Sequence, residues 1–320
     1  MSDRTSFGRG FSATALALVT LLGISPVLAA DAQRATASKV PHEAAYLGEK
    51  PPGDVPALFA PGILAAHPFL GPLAFSPDGT ECFFTVDDAW YTTQSLYVSR
   101  YADGAWSPPT LAPFVAGFDK SAEAYFAPDG NRLYFTAQAK GSLRRMDLWM
   151  VDRAGPGWGT PVRLAAPINS DANEFHFSKG PDGTIYFLSN RSGAPQIYRA
   201  RQNTAGSFQV ELVPAPVLGV GTYDGDPSIA SDGRFLVFHS ARAGGFGAVD
   251  LHVSFADGKG EWTTPMNLGA DFNTAVDEYG AMLSPDGKYL FFVRHGLKKG
   301  ELFWVSTRAI DKLATRKSAR

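Results

Sequence analysis

The dipeptide Asp-Gly returns five times in the same local setting: Ser76-Pro77-Asp78-Gly79, Ala127-Pro128-Asp129-Gly130, Gly180-Pro181-Asp182-Gly183, Ala230-Ser231-Asp232-Gly233 and Ser284-Pro285-Asp286-Gly287. Successive aspartates are 51, 53, 50 and 54 residues apart. A period of that length marks a repeat architecture, in which each unit buries its apolar faces against its neighbours. The turn chemistry is specific. Proline presets φ at the first corner, aspartate accepts hydrogen bonds from nearby amides, and glycine takes the positive φ that follows.

The residues on either side of each turn read as strands, so each unit contains a β-hairpin. Before the turn stand runs such as Glu174-Phe175-His176-Phe177; after it stand Cys82-Phe83-Phe84-Thr85, Leu133-Tyr134-Phe135, Ile185-Tyr186-Phe187-Leu188, Phe235-Leu236-Val237-Phe238 and Leu290-Phe291-Phe292-Val293. A third strand with apolar and polar residues alternating follows a variable loop, as in Asp147-Leu148-Trp149-Met150-Val151 and Asp250-Leu251-His252-Val253-Ser254. A weaker fourth strand carries Trp106, Trp158, Phe208 or Trp262. The regular place of these aromatics points to packing between repeats.

Four antiparallel strands per repeat, with no helical pattern of useful length, predict an all-β fold, a β-propeller. The fifth repeat lacks a fourth strand, and the segment Pro56-Ala57-Leu58-Phe59-Ala60-Pro61 resembles one. We therefore expect a five-bladed β-propeller whose last blade is closed by an N-terminal strand, with six blades as the alternative if residues 31–70 hide a degenerate repeat. Such closure removes an exposed sheet edge.

The first thirty residues carry Arg4 and Arg9, an apolar run, and the small-residue stretch Val27-Leu28-Ala29-Ala30. That order predicts a secretory signal peptide over residues 1–30 and a periplasmic or secreted product. No later stretch reaches the roughly 20 apolar residues of a membrane span. A flexible segment is expected over 31–50, one propeller domain over 51–310 and a basic tail over 311–320. Without the leader, 27 basic residues face 30 acidic ones, which argues against nucleic acid as a partner. The single cysteine, Cys82, allows no internal disulfide.

Ser-Pro-Asp-Gly followed by a Leu/Phe-rich strand and then Asp-Leu-Trp or Asp-Leu-His resembles the WD-repeat-like propeller repeats of the TolB type, common in exported bacterial proteins. The resemblance covers roughly residues 50–308. It implies a propeller fold and a family that includes periplasmic interaction scaffolds, propeller domains attached to peptidases, and some sugar-acid lyases. Its defining residues are turn and core residues, so it carries over no catalytic set.

In a propeller the innermost strand of each blade begins on the face where the second strand ends. Residues at those two places from all blades converge around the channel mouth. The acids there are Glu123, Glu174, Asp224 with Asp226, and Asp277 with Glu278; the bases are Lys140, Arg191, Arg242, and Arg294 with His295. Two readings stand side by side. On the first the groups are salt bridges within blades, Glu174 with Arg191, Asp224 or Asp226 with Arg242, and Glu278 with Arg294. Alternatively they form a polar ligand site for a carboxylate, phosphate, sugar or cation. Blade one breaks the pattern, with Leu70-Gly71-Pro72 in place of an acid and with Asp87, Asp88, Trp90 and Tyr91 in place of an arginine.

His176 and His239 stand where they could face the channel, but no histidine pair has metal-ligand spacing. A metal would need His176, His239 and a nearby acid to converge, so neither metal nor cofactor is assigned. The chain has no nucleophile elbow, phosphate loop or dinucleotide fingerprint. The first functional expectation is a non-enzymatic exported scaffold for a protein, peptide or envelope component. The second is a carbohydrate-active enzyme, glycoside hydrolase or sugar-acid lyase, using Glu123, Glu174 and Glu278. A sensor of a small polar ligand or cation would use the same ring.

Overall fold

The computed structural model describes residues 39–88, 90–142, 145–214 and 223–318; the predicted leader lies outside them. Five antiparallel sheets follow one another along the chain. Blade one comprises Leu70–Phe75, Glu81–Asp87 and Gln94–Ala102, with Ala105–Trp106 and Thr110–Leu111 as an interrupted outer strand. Blade two has Phe118–Phe126, Arg132–Ala139 and Asp147–Ala154, flanked by Gly157–Trp158 and Val162–Arg163. Blade three is Glu174–Lys179, Ile185–Ser189, Gln196–Gln202 and Phe208–Leu212; blade four is Asp224–Ile229, Phe235–Ser240, Asp250–Phe255 and Met266–Asn267. Blade five takes Asp277–Leu283, Tyr289–His295 and Gly300–Ser306 and is completed by Ala57–Leu58 from the other end of the chain. The innermost strands touch in cyclic order, the fifth against the first, so the ring is a closed five-bladed β-propeller.

The Asp-Gly turns behave as their chemistry dictates. Asp78 accepts from Ser76 Oγ, Thr80 N and Thr80 Oγ1 at 2.7–3.2 Å, while Gly79 sits at φ +76. The other four turn glycines also have φ between +70 and +84, where a side chain would strain the backbone. Partial burial raises the Asp78 carboxyl, but the bonds from Ser76, Lys39 and Thr80 outweigh it and hold the group down from its ordinary 3.8 to about 2. A depressed folded-state pKa adds stability that is complete above the unfolded value and lost as pH falls through the folded one. Discounted for solvent screening, Asp78→Asn is expected to cost about 1 kcal/mol at neutral pH and almost nothing near pH 2. Urea melts of the two proteins at both pH values check this; a gap that persists at low pH would contradict it.

Aromatic side chains fill the seams between blades. Tyr134 of blade two stacks on Phe177 of blade three at 4.0 Å. Trp158 lies edge-on to Phe83 of blade one, and Trp262 of blade four to Tyr186 of blade three.

Two segments, 39–50 and 308–318, are more ordered than the sequence suggests. Of the segment expected to be flexible, residues 39–50 pack on the ring. Tyr46 contacts the rings of Phe75, Tyr289 and Trp304, Leu47 is buried, and Trp106 Nε1 donates to Ala44 O at 2.7 Å. The C-terminal basic stretch belongs to a helix, Arg308–Ser318. Ala309 and Ile310 are buried and Leu313 packs beside them, an apolar edge at helical spacing within a charged sequence. Arg308 and Lys312 bind Asp54, which ties this helix to the closing strand. Among the described residues no helix is long and apolar enough to cross a membrane.

Candidate functional site

Counting back from each turn aspartate separates two rings of residues. The eighth residue is Leu70, Ser121, Glu174, Asp224 or Glu278; the sixth is Pro72, Glu123, His176, Asp226 or Gly280. Glu123 therefore stands two residues out of register with Glu174 and Glu278, and the single ring of acids expected from the sequence is two rings with different surroundings.

The eighth-position acids pair within their blades. Glu174 is fully buried and accepts from Ser170 N, Ser170 Oγ, Ser189 Oγ and Arg191 Nη2 at 2.5–3.0 Å. Glu278 accepts from Thr274 N and Oγ1, with Arg294 Nε at 3.5 Å, and Asp224 lies 3.2 Å from Arg242. The guanidinium groups lie over Phe187, Phe238 and Phe292, and those of Arg191 and Arg294 also donate to backbone carbonyls. Each unit welds the start of the innermost strand to the end of the second.

The sixth-position residues behave differently. In all five blades the pairing of the two inner strands shifts register at this point, between Leu70 and Leu73, Ala122 and Tyr125, Phe175 and Ser178, Gly225 and Ser228, and Tyr279 and Met282. Such a bulge re-aims a side chain. Glu123, His176 and Asp226 occupy it with φ of +56, +51 and +50, a left-handed conformation that costs a non-glycine residue energy. Ligand atoms of these three residues, from adjacent blades, lie within 4.8 Å of one another. Pro72 and Gly280 fill the remaining arc, set so close that a Cβ on Gly280 would fall 2.6 Å from the proline ring.

His239 joins this cluster from the second strand of blade four. Its Nδ1 is 3.3 Å from Asp226 Oδ2, without the alignment of a hydrogen bond. Gly225 admits it, since a Cβ there would lie 2.6 Å from the His239 Nε2. His176 and His239 are 1% and 2% exposed, and none of their four ring nitrogens makes a well-aligned hydrogen bond. Glu123 Oε2 accepts from Thr136 Oγ1 and from His176 N at 2.7 and 2.8 Å; Asp226 Oδ2 accepts from Gly280 N at 3.1 Å.

The charges of the two acids are driven apart. Burial, with the nearby charge of Asp226, pushes Glu123 up to about 8. Burial would raise Asp226 as well, but the facing imidazoles of His239 and His176 hold it down at about 2. Burial lowers His176. Asp87, buried beside Gly71, is pushed up to about 7 by burial and by Asp88.

Around this cluster runs a rim that the sequence reading named only in part. Asp88 organises the loop after the second strand of blade one, accepting from Trp90 N, Thr92 N and Thr93 N, and Trp90 projects into solvent at 73% exposure. Tyr91 stacks on His295 at 4.8 Å and Tyr223 meets His239 edge-on at 4.8 Å. Burial raises the phenols of Tyr91, Tyr223 and Tyr279, and each also feels the charge of Asp226. Lys140 is exposed at the turn after the second strand of blade two. Tyr223 and Tyr279 carried no sequence signal of their own. Glu123, His176 and Asp226 did, in their shared offset from the Asp-Gly turn.

Fold and site define a five-bladed β-propeller with a polar cluster set where its innermost strands converge. No protein-family model and no curated protein matches the sequence. Solved structures do. The putative TolB from Agrobacterium tumefaciens superposes with a TM-score of 0.50 at 16% identity, over 75% of this chain and 78% of that one. A thermostable family-43 glycoside hydrolase gives 0.51 at 14% identity, over 79% and 90%. TolB from Acinetobacter baumannii gives 0.48 at 19% identity, over 75% of this chain but only 52% of its own, so the chain spans about half of that protein. At these identities the likeness establishes a TolB-like propeller fold and nothing finer.

Proposed function

We propose that this chain is an exported, non-enzymatic propeller that binds a protein, peptide or envelope component on the face where the innermost strands begin. The observation that carries this reading is the distribution of exposed apolar side chains. Of the eleven exposed large hydrophobic side chains among the described residues, six lie on that one face: Trp90, Tyr91, Phe246 and Leu297 in loops between second and third strands, and Tyr223 and Val276 immediately before innermost strands; the other five, Val55, Leu58, Leu111, Val162 and Leu212, lie on or beside outer strands. Exposed aromatics around a polar centre suit recognition, because they supply contact area at small entropic cost. The Asp-Gly turns occupy the opposite face.

A photo-crosslinking residue replacing Trp90 or Leu297 is expected to capture a partner from envelope extracts, and one replacing Asn131 on the turn face is not. Joint replacement of Trp90, Phe246 and Leu297 by alanine should weaken capture at least tenfold and leave the melting temperature nearly unchanged, as exposed substitutions do. Equal capture from both faces, or none from the mouth face, refutes the reading.

One observation favours a carbohydrate-active enzyme instead: two adjacent carboxyl groups, Glu123 driven towards its protonated form and Asp226 held ionised, are the pattern of an acid–base pair. Under that reading Glu174 and Glu278 brace the site, and Glu123 and Asp226 do the chemistry. Glycan turnover that disappears in Glu123→Gln would replace the binding reading with this one.

A further inference from the structure

We propose that Glu123, His176, Asp226 and His239 form a binding site for one divalent first-row transition-metal ion, such as Zn2+, on the axis of the propeller. The inference goes beyond the binding face and does not depend on it.

Three independent features converge. The donors come from three adjacent blades at one repeated bulge, and each of the three bulge residues keeps a left-handed backbone that the equivalent glycine of blade five would adopt freely. Backbone strain repeated at one locus marks a place kept for function. The second feature is the four imidazole nitrogens, buried and without a well-aligned hydrogen bond. Buried polar atoms are almost always satisfied, so two adjacent imidazoles that face Asp226 at 3.3 and 3.9 Å without forming a well-aligned hydrogen bond point to a missing partner with positive charge. The third is the donor set itself. Two neutral imidazoles and two carboxylates neutralise a dication and match the preference of Zn2+ and its neighbours, whereas Mg2+ and Ca2+ favour all-oxygen shells.

The spacing fits. Tetrahedral Zn2+ with bonds of about 2.0–2.1 Å holds its donors roughly 3.4 Å apart, so the ligand atoms of Glu123, His176 and Asp226, within 4.8 Å of one another, reach it by side-chain shifts of about 1 Å, and His239 Nδ1 already lies 3.3 Å from Asp226 Oδ2. Glu123 Oε2 and Asp226 Oδ2 carry the hydrogen bonds that fix these carboxylates, which leaves Oε1 and Oδ1 outside those bonds to serve as donors. Thr136 and the Gly280 amide then act as the outer partners that orient the ligands.

The test is metal analysis and Zn2+ titration of the purified protein, first stripped with chelator. One ion per chain is expected, with a Co2+-substituted form showing a visible ligand-field spectrum of mixed nitrogen and oxygen coordination. His176→Gln, Asp226→Asn and Glu123→Gln should each weaken Zn2+ binding by roughly 100-fold or more, given that losing even an outer-shell partner typically costs 10- to 100-fold. Circular dichroism and melting of the stripped variants separate loss of a ligand from loss of the fold, and Glu123→Gln is the variant that preserves every hydrogen bond at the site. Absence of a stoichiometric ion, or Zn2+ binding that a folded Glu123→Gln and Asp226→Asn both retain at full strength, overturns the proposal.

Discussion

Removal of residues 39–64 is expected to abolish cooperative folding of the propeller, and adding the same segment back as a peptide to restore it. Ala57 and Leu58 pair with Trp304 and Phe303, Phe59 N donates to Leu302 O at 2.8 Å, and Ser306 N donates to Gly53 O at 3.0 Å. The buried residues of the segment are Val40, Leu47, Phe59, Ala60 and Leu64. Losing them at about 2–4 kcal/mol for each large side chain approaches the whole stability of a typical domain, about 5–15 kcal/mol. Two further effects act in the same direction. The third strand of blade five becomes an open edge, and Asp54 no longer binds the C-terminal helix. The milder form of the experiment is Phe59→Ala. Its ring meets Phe75, Phe291 and Trp304 at 5.1–6.1 Å, and its loss should cost about 3–5 kcal/mol, a fall in melting temperature on the order of 10 °C. A deletion variant that melts with the full chain would show that the ring closes without this strand.

The fold was legible because its information is local and repeated. Each Asp-Gly turn and each aromatic strand is specified within a dozen residues, and five copies fix the period. The closing strand was legible for the same reason, as the missing member of a series. What escaped was of two kinds. The ordering of residues 39–50 and of the C-terminal helix depends on tertiary packing, Tyr46 among Phe75, Tyr289 and Trp304, and Ile310 against blades four and five. No local propensity records that. The division of the acids into two rings was present in the sequence but hidden by chemistry. Glu123, Glu174 and Glu278 are the same residue type near the same strand end, and only the count from the turn shows that a bulge places one of them at the axis. Grouping by residue type merged what grouping by register separates.

That separation has a consequence for stability, and it is the sharpest test of the two-ring description. Glu174→Ala should destabilise the protein by about 3 kcal/mol, because it removes the counter-charge of a half-buried guanidinium and leaves the hydroxyls of Ser170 and Ser189 without their acceptor. In a chain of this size that is a fall on the order of 10 °C. Glu123→Gln, in protein freed of metal, should shift stability by less than about 1 kcal/mol. The amide keeps an oxygen to accept from Thr136 and His176, and burial already disfavours the charge that the substitution removes. The two substitutions then diverge in opposite ways across assays. The first lowers melting with Zn2+ binding retained in the folded fraction; the second spares melting and weakens Zn2+ binding. A residue held only for architecture has no reason to be expendable when buried in a strained backbone. If Glu123→Gln destabilises as much as Glu174→Ala, the sixth-position ring is part of the scaffold, and the case for a site on the axis falls with it.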